Sequence, residues 1–176
     1  LIGLVFTLFS SGVNKTVAAG NEIRSETLRL HIIANSDSEE DQQLKLKVRD
    51  AVLEATGELF AEVSGKTEAV AAAEYSANDI KEIAEKTIAE EGFDYEVQVE
   101  VTEMWFETRS YEGFTLPAGD YDAVRIIIGE GEGKNWWCVM FPPMCLPAAK
   151  DNETQLCDVL GEKSMNIVEN GKKYEV

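Results

Sequence analysis

The run from Tyr121 to Leu146, YDAVRIIIGEGEGKNWWCVMFPPMCL, limits what this chain can fold into more than any other stretch. Val124, Ile126 and Ile128 alternate with Ala123, Arg125 and Ile127, the period of a strand with at least one buried face. Gly129, Gly131 and Gly133 then interrupt it at every second position. Such spacing cannot pack a strand core, but it supplies the backbone freedom of a turn. The aromatic run Trp136-Trp137-Cys138-Val139-Met140-Phe141 forms a second strand, stopped at Pro142-Pro143 because proline donates nothing to a ladder. The expected unit is a wide-turned β-hairpin at the centre of the domain.

Other segments supply its neighbours. Thr27 to Ala34 alternates as a strand, with Leu28, Leu30, Ile32 and Ala34 on one face and Arg29, His31 and Ile33 on the other. Asn35-Ser36-Asp37-Ser38 follows as a turn, and Ser38 with Asp41 three residues on resembles a capping box. A helix then runs to about Glu62, with a stripe of Leu44, Val48, Ala51, Val52, Ala55 and Leu59, widened by Leu46, Leu53 and Phe60. Lys45, Lys47 and Arg49 fall on its solvated side. A second helix spans Thr67 to Glu90, with a break expected near Ser76-Ala77-Asn78 and a stop at Gly92. Asp94 to Phe106 is a strand with Val97, Val99 and Val101 inward and Glu96, Gln98, Glu100 and Thr102 outward, so one sheet face is expected to be open to water. Thr108 to Gly119 reads as a polar connection.

The order strand, helix, helix, strand, strand, strand implies an α+β fold. Its most economical form is a two-layer sandwich, a small and mostly antiparallel sheet of about four strands with both helices on one face. Residues 20–146 form this single domain, and 147–176, where the hydrophobic pattern fades, an irregular tail. Ahead of it, residues 1–19 read as a signal peptide or N-terminal anchor whose leader is truncated. Leu1 to Phe9 is apolar but short for a span, and Val17-Ala18-Ala19 suits a cleavage site. The protein is therefore expected to be exported, touching membrane only through this segment.

Charge narrows the partners. A net charge of −17 over 176 residues repels phosphate backbones and excludes nucleic acid as an expected ligand. One histidine and three cysteines without a CxxC pattern leave no expected metal site and no cofactor. Cys138 and Cys145 flank Pro142-Pro143 and are a possible disulfide, although three free thiols are the simpler expectation for a domain of this size. A Cys–His pair of Cys138 or Cys145 with His31, oriented by Asn35 or Asp37, would make a hydrolase, but no local spacing supports it. The two carboxylates of Glu130-Gly-Glu132 suit a solvated turn better than a cation site. With the helices on one face, the other carries Arg29, His31, Gln98, Glu100, Arg125 and one side of Trp136-Trp137. That mixture suits either an interface or a solvated face with ordinary ion pairs.

The blocks LRLHIIANSDSEEDQQLKLKVRDAVL (Leu28 to Leu53) and PAGDYDAVRIIIGEGEGKNWWCVMFPPMC (Pro117 to Cys145) resemble the stage II sporulation protein R family of endospore-forming bacteria. The resemblance runs from about Leu28 to Leu146 and leaves the tail aside. It implies a signalling protein and not an enzyme. Family members are made in the forespore and secreted toward the intermembrane space between the two sporulating compartments. There they activate a membrane-embedded aspartic protease of the mother cell, which processes the early sigma-factor precursor. On this reading Arg29, His31, Asn35, Asp37, Arg125, Trp136 and Trp137 contact the protease. The competing expectation is an exported cysteine-dependent hydrolase acting on the cell wall.

Overall fold

A computed structural model describes residues 20–111 and 115–144. Residues 20–25 form a short helix, α1, and are followed by β1 (Leu28–Ile33), α2 (Glu39–Ala61), α3 (Lys66–Glu90) and β2 (Val97–Phe106). Next come the two-residue strands β3 (Arg109–Ser110) and β4 (Thr115–Leu116), then β5 (Gly119–Ile128) and β6 (Asn135–Phe141). The fold is α+β. Among the described residues no helix is long and apolar enough to cross a membrane.

Strand order in the main sheet is β2-β5-β1-β6. The outer pairings, β2 with β5 and β1 with β6, are antiparallel, whereas β1 and β5 are parallel. β5 and β6 are therefore not a hairpin, contrary to the expectation from their spacing: β1 lies between them. Both faces of β1 are buried along its whole length, which suits a central strand. Residues 129–134 can step over it because stepping across one intervening strand spans only about 10 Å.

Helices α2 and α3 pack on each other and on one face of the sheet. Leu28, Leu30 and Ile32 of β1 join Val124, Ile126 and Ile128 of β5, Val97 of β2 and Met140 of β6 under Leu44, Val48, Val52, Ile80, Ala84 and Ile88. Ser38 caps α2, its side chain accepting from the Asp41 backbone N–H at 3.1 Å. The stripe of α2 is rotated from the expected one. Leu59 is 39% exposed and Ala55 is exposed, while Thr56 and Phe60 turn inward. Lys45, expected on the solvated side, is buried and donates to the Lys134 carbonyl at 2.8 Å. Helix α3 is continuous through Ser76, whose hydroxyl donates back to the Ala72 carbonyl instead of breaking the helix.

The second sheet face is open only in part: Gln98 and Glu100 are exposed as expected, but the end near Phe106 is covered. A smaller core of Ile23 from α1, Phe106, Leu116, Tyr121, Ala123 and Val139 covers half of it. The β3–β4 ribbon, which lies in the connection read as polar, contributes Leu116 to this core.

The crossover loop is locked to the turn after β1. Gly129 and Gly131 have φ of 56° and 64°, in the left-handed region that glycine tolerates. A Cβ at Gly129 would also overlap the Asn35 amide, and one at Gly133 would overlap the Ser36 carbonyl. We expect Gly133→Val to lower the unfolding free energy by roughly 2–4 kcal/mol. Tyr75→Ala, at a side chain 90% exposed on α3, should stay within about 0.5 kcal/mol of wild type. Urea unfolding followed by circular dichroism reads both.

Candidate functional site

The residues singled out by sequence fall into three neighbourhoods. The first is the joint between the turn after β1 and the glycine loop. Asn35 sits at its centre, its Oδ1 accepting from the Glu130 N–H at 3.0 Å and its Nδ2 donating to Asp41 Oδ2 at 2.9 Å. Asp37 Oδ1 accepts from the Lys134 N–H at 2.7 Å. The Ala34 and Asn35 carbonyls accept from Gly133 and Glu132. Asp41 is buried, which pushes its carboxyl up, but hydrogen bonds from Ser36, Asn35, Tyr95 and the Ser38 cap outweigh this and hold it below the usual range. Asn35 and Asp37 are thus engaged within the molecule.

The second neighbourhood is an aromatic cage on the covered half of the second sheet face. Arg29 is 0% exposed. Its guanidinium lies 4.1 Å from the Phe106 ring centroid, 5.1 Å from Tyr121 and 5.9 Å from Tyr111. Nη2 donates to the Tyr111 hydroxyl at 2.5 Å, while Nε and Nη1 have no hydrogen-bond partner among the described residues. No described carboxylate forms an ion pair with Arg29, so ring quadrupoles carry much of its stabilisation. Burial draws the arginine pKa down and pushes the Tyr121 phenol up to about 12. Phe106, Tyr111 and Tyr121 escaped the sequence reading because their role depends on strand order. The signal was present in alternation, since Phe106 and Tyr121 both fall on the face opposite the valines.

The third neighbourhood is a rung across the four strands. Register places Glu100 beside Arg125, Arg125 beside His31, and His31 beside Trp137. Arg125 donates to Glu100 at 2.8 Å. The His31 ring stacks on Trp137 with centroids 3.8 Å apart and planes 8° from parallel. Its Nε2 meets Asn135 Oδ1 at 2.8 Å, and its buried Nδ1 has no partner among the described residues. Arg125 and Trp137 are half-buried, and the Arg109 guanidinium lies 5.4 Å from the Trp137 ring centroid. Trp136 points to the opposite, helix-bearing face, where Arg49 lies 4.3 Å from its ring centroid. The structure thus brings His31, Arg125 and Trp137 together and separates them from Trp136.

Cys138 also sits on the helix-bearing side, packed against the main core, and is disulfide-bonded. It is therefore not a free thiol, contrary to the simpler sequence expectation. The expected partner, Cys145, lies outside the described residues. Cys138 and His31 lie on opposite sheet faces, so they form no nucleophile–base pair. Among the described residues no group of three or more metal-ligating side chains is assembled.

The chain's one histidine allows a clean titration. His31 has its pKa lowered chiefly by burial, with Arg125 and Arg29 adding to the effect against the hydrogen bond to Asn135. A lowered folded value means that the unfolded chain takes up the proton first as pH falls. The His31 contribution to stability is therefore full above about pH 6.5 and is lost as pH drops from there toward the lower folded value. Urea unfolding from pH 7.5 to 5 should show this loss in wild type. His31→Gln should remove that component of the slope while leaving the carboxylate component at lower pH.

Comparison with known proteins agrees with the two sequence blocks that meet in the first neighbourhood. A family model described as stage II sporulation protein R matches residues 24–151. The stage II sporulation protein R of Bacillus subtilis strain 168 is 40% identical over 123 residues, which are 70% of this chain and 55% of that protein. The chain thus spans little more than half the length of that relative. No solved structure matches. With the family model covering the whole described domain beyond α1, the chain belongs to the stage II sporulation protein R family.

Proposed function

We propose that this protein is an exported sporulation signal. It acts from the space between forespore and mother cell and switches on a membrane-embedded aspartic protease of the mother cell. That protease in turn processes the early sigma-factor precursor. Family membership over residues 24–151 is the observation that carries this reading. The chemistry of the described residues supports a binding protein over a thiol hydrolase. Cys138 is disulfide-bonded and separated from His31 by the sheet, and the His31 ring is stacked and 3% exposed. A sealed imidazole and an oxidised sulfur offer no activated nucleophile.

The residues first assigned to the protease contact divide by burial and by the hydrogen bonds to the glycine loop that half-buried Asn35 and exposed Asp37 already make. Arg29 and His31 are sealed, and Asn35 and Asp37 hold the glycine loop. Arg125, Trp136 and Trp137 remain half-buried and reachable. We therefore assign the contact to the rung formed by Arg125 and Trp137, with Arg29, His31, Asn35 and Asp37 holding the platform in shape. Residues 1–19 and the tail from 145 onward lie outside the described ones, so export through the leader belongs to the same proposal.

Reconstitution in a non-sporulating host tests the reading. The exported protein, the membrane protease and the sigma-factor precursor are co-expressed, and precursor cleavage is scored. We expect cleavage with wild type and with Cys138→Ser/Cys145→Ser, provided circular dichroism shows a folded protein. Arg125→Ala and Trp137→Ala, equally folded, should weaken activation by about tenfold or more, the effect of truncating a contact residue worth over ~1.4 kcal/mol. An absence of cleavage with wild type would overturn the activator reading. Loss of cleavage only in the folded cysteine variant would replace it with a thiol or disulfide mechanism.

A further inference from the structure

The outer edge of β2 is the feature that neither the core nor the second sheet face explains. β2 is ten residues long and lies at the end of the strand order, paired only with β5. Its register with β5 runs without a shift from Val97 to Phe106. Among the described residues nothing pairs with its other side. A long straight edge is a template for another strand, and proteins normally blunt it with lysine, proline or a bulge. The sequence VQVEVTEMWF has none of these.

What guards this edge is negative charge. Glu100 and Glu103 lie within β2, with Glu96 and Glu107 at its two ends, all exposed. Glu100 is matched by Arg125, but Glu96, Glu103 and Glu107 form no ion pair among the described residues. Carboxylates repel a second copy of the same acidic strand, in a chain that carries −17 overall. They attract a basic one. On the helix-bearing face, Val99 and Val101 are packed against the main core but only partly covered. Apolar residues of an added strand would lie beside them and complete that cover. At one end Trp105 is 56% exposed, a large aromatic side chain left more than half open.

We propose that the β2 edge is a docking site for an extended, basic segment of the protein partner, added to the sheet as a further antiparallel or parallel strand. The apolar positions of the segment lie beside Val99 and Val101 on the helix side. Its lysines or arginines alternate onto the side of Glu96, Gln98, Glu100 and Thr102, while Trp105 and Glu103, on the helix side with Val99 and Val101, meet its far end. This deepens the signalling reading by specifying the surface and the chemistry of the partner segment, and it rests on that reading only for the identity of the partner.

The test needs no protease, so its failure leaves the signalling reading standing. Blocked peptides of alternating lysine and valine, or glutamate and valine, as long as β2, are titrated into the purified full chain. Binding is read by tryptophan emission, and its location by backbone amide hydrogen exchange. We expect the basic peptide to bind, with affinity falling as salt rises, and amides of residues 97–106 to gain protection. The acidic peptide should not bind. Glu96→Lys/Glu100→Lys, at two exposed positions on the side the lysines occupy, should weaken the basic peptide about tenfold or more and admit the acidic one. Trp105→Ala should weaken binding about thirtyfold, the loss typical of an interface anchor. The proposal is overturned if no peptide protects β2 or if protection appears elsewhere on the molecule. It also fails if charge reversal leaves the preference unchanged. Edge amides already protected in the free chain would assign the edge to the protein's own remaining segments, and protection that rises with protein concentration would assign it to a second copy.

Discussion

Asn35 holds together the two halves of the fold. Its side chain accepts from the glycine loop and donates to the first turn of α2, so one amide joins the end of β1, the start of α2 and the β5–β6 crossover. The loop can come this close because glycine occupies the positions where a Cβ would meet Asn35 and Ser36. With the loop fixed, β6 is delivered to the far side of β1 and the sheet order is set. The turn motif and the glycine motif are thus two halves of one joint.

From that joint the two sheet faces acquire different chemistry. The helix-bearing face is a conventional apolar core. The other face buries an arginine with no carboxylate partner among the described residues, held by three aromatic rings and one tyrosine hydroxyl. Such an environment costs desolvation, which ring quadrupoles and the packing of the guanidinium offset in part. Next to it, His31 is kept neutral by burial between two arginines and stacked on Trp137. The result is a second layer over part of the face, beside which the rung of Glu100, Arg125 and Trp137 still reaches solvent.

The distribution of acid groups complements this arrangement. Carboxylates lie along the exposed edge of β2 and near the start of α2, whereas the buried cations face inward. Solubility and resistance to self-pairing follow from the same charges that would select a basic partner.

Much of the fold was legible in the residues. Period-two alternation identified β1, β2, β5 and β6 and the side on which Arg29 and His31 lie, because side-chain direction in a strand depends only on local geometry. Ser38 announced the start of α2, since an N-cap is a local hydrogen bond. Gly129 to Gly133 announced a special loop. What local pattern could not contain was which strand lies beside which. A six-residue loop serves a hairpin and a crossover equally well, and the choice here was made by β1, whose two buried faces demanded neighbours on both sides. That choice moved Phe106 and Tyr121 over Arg29, covered part of a face expected to be open, and set Asn35 and Asp37 against the glycine loop. Local periodicity determined the elements and their inward sides; only tertiary packing decided their order, because burial and hydrogen-bond satisfaction are properties of the assembled sheet.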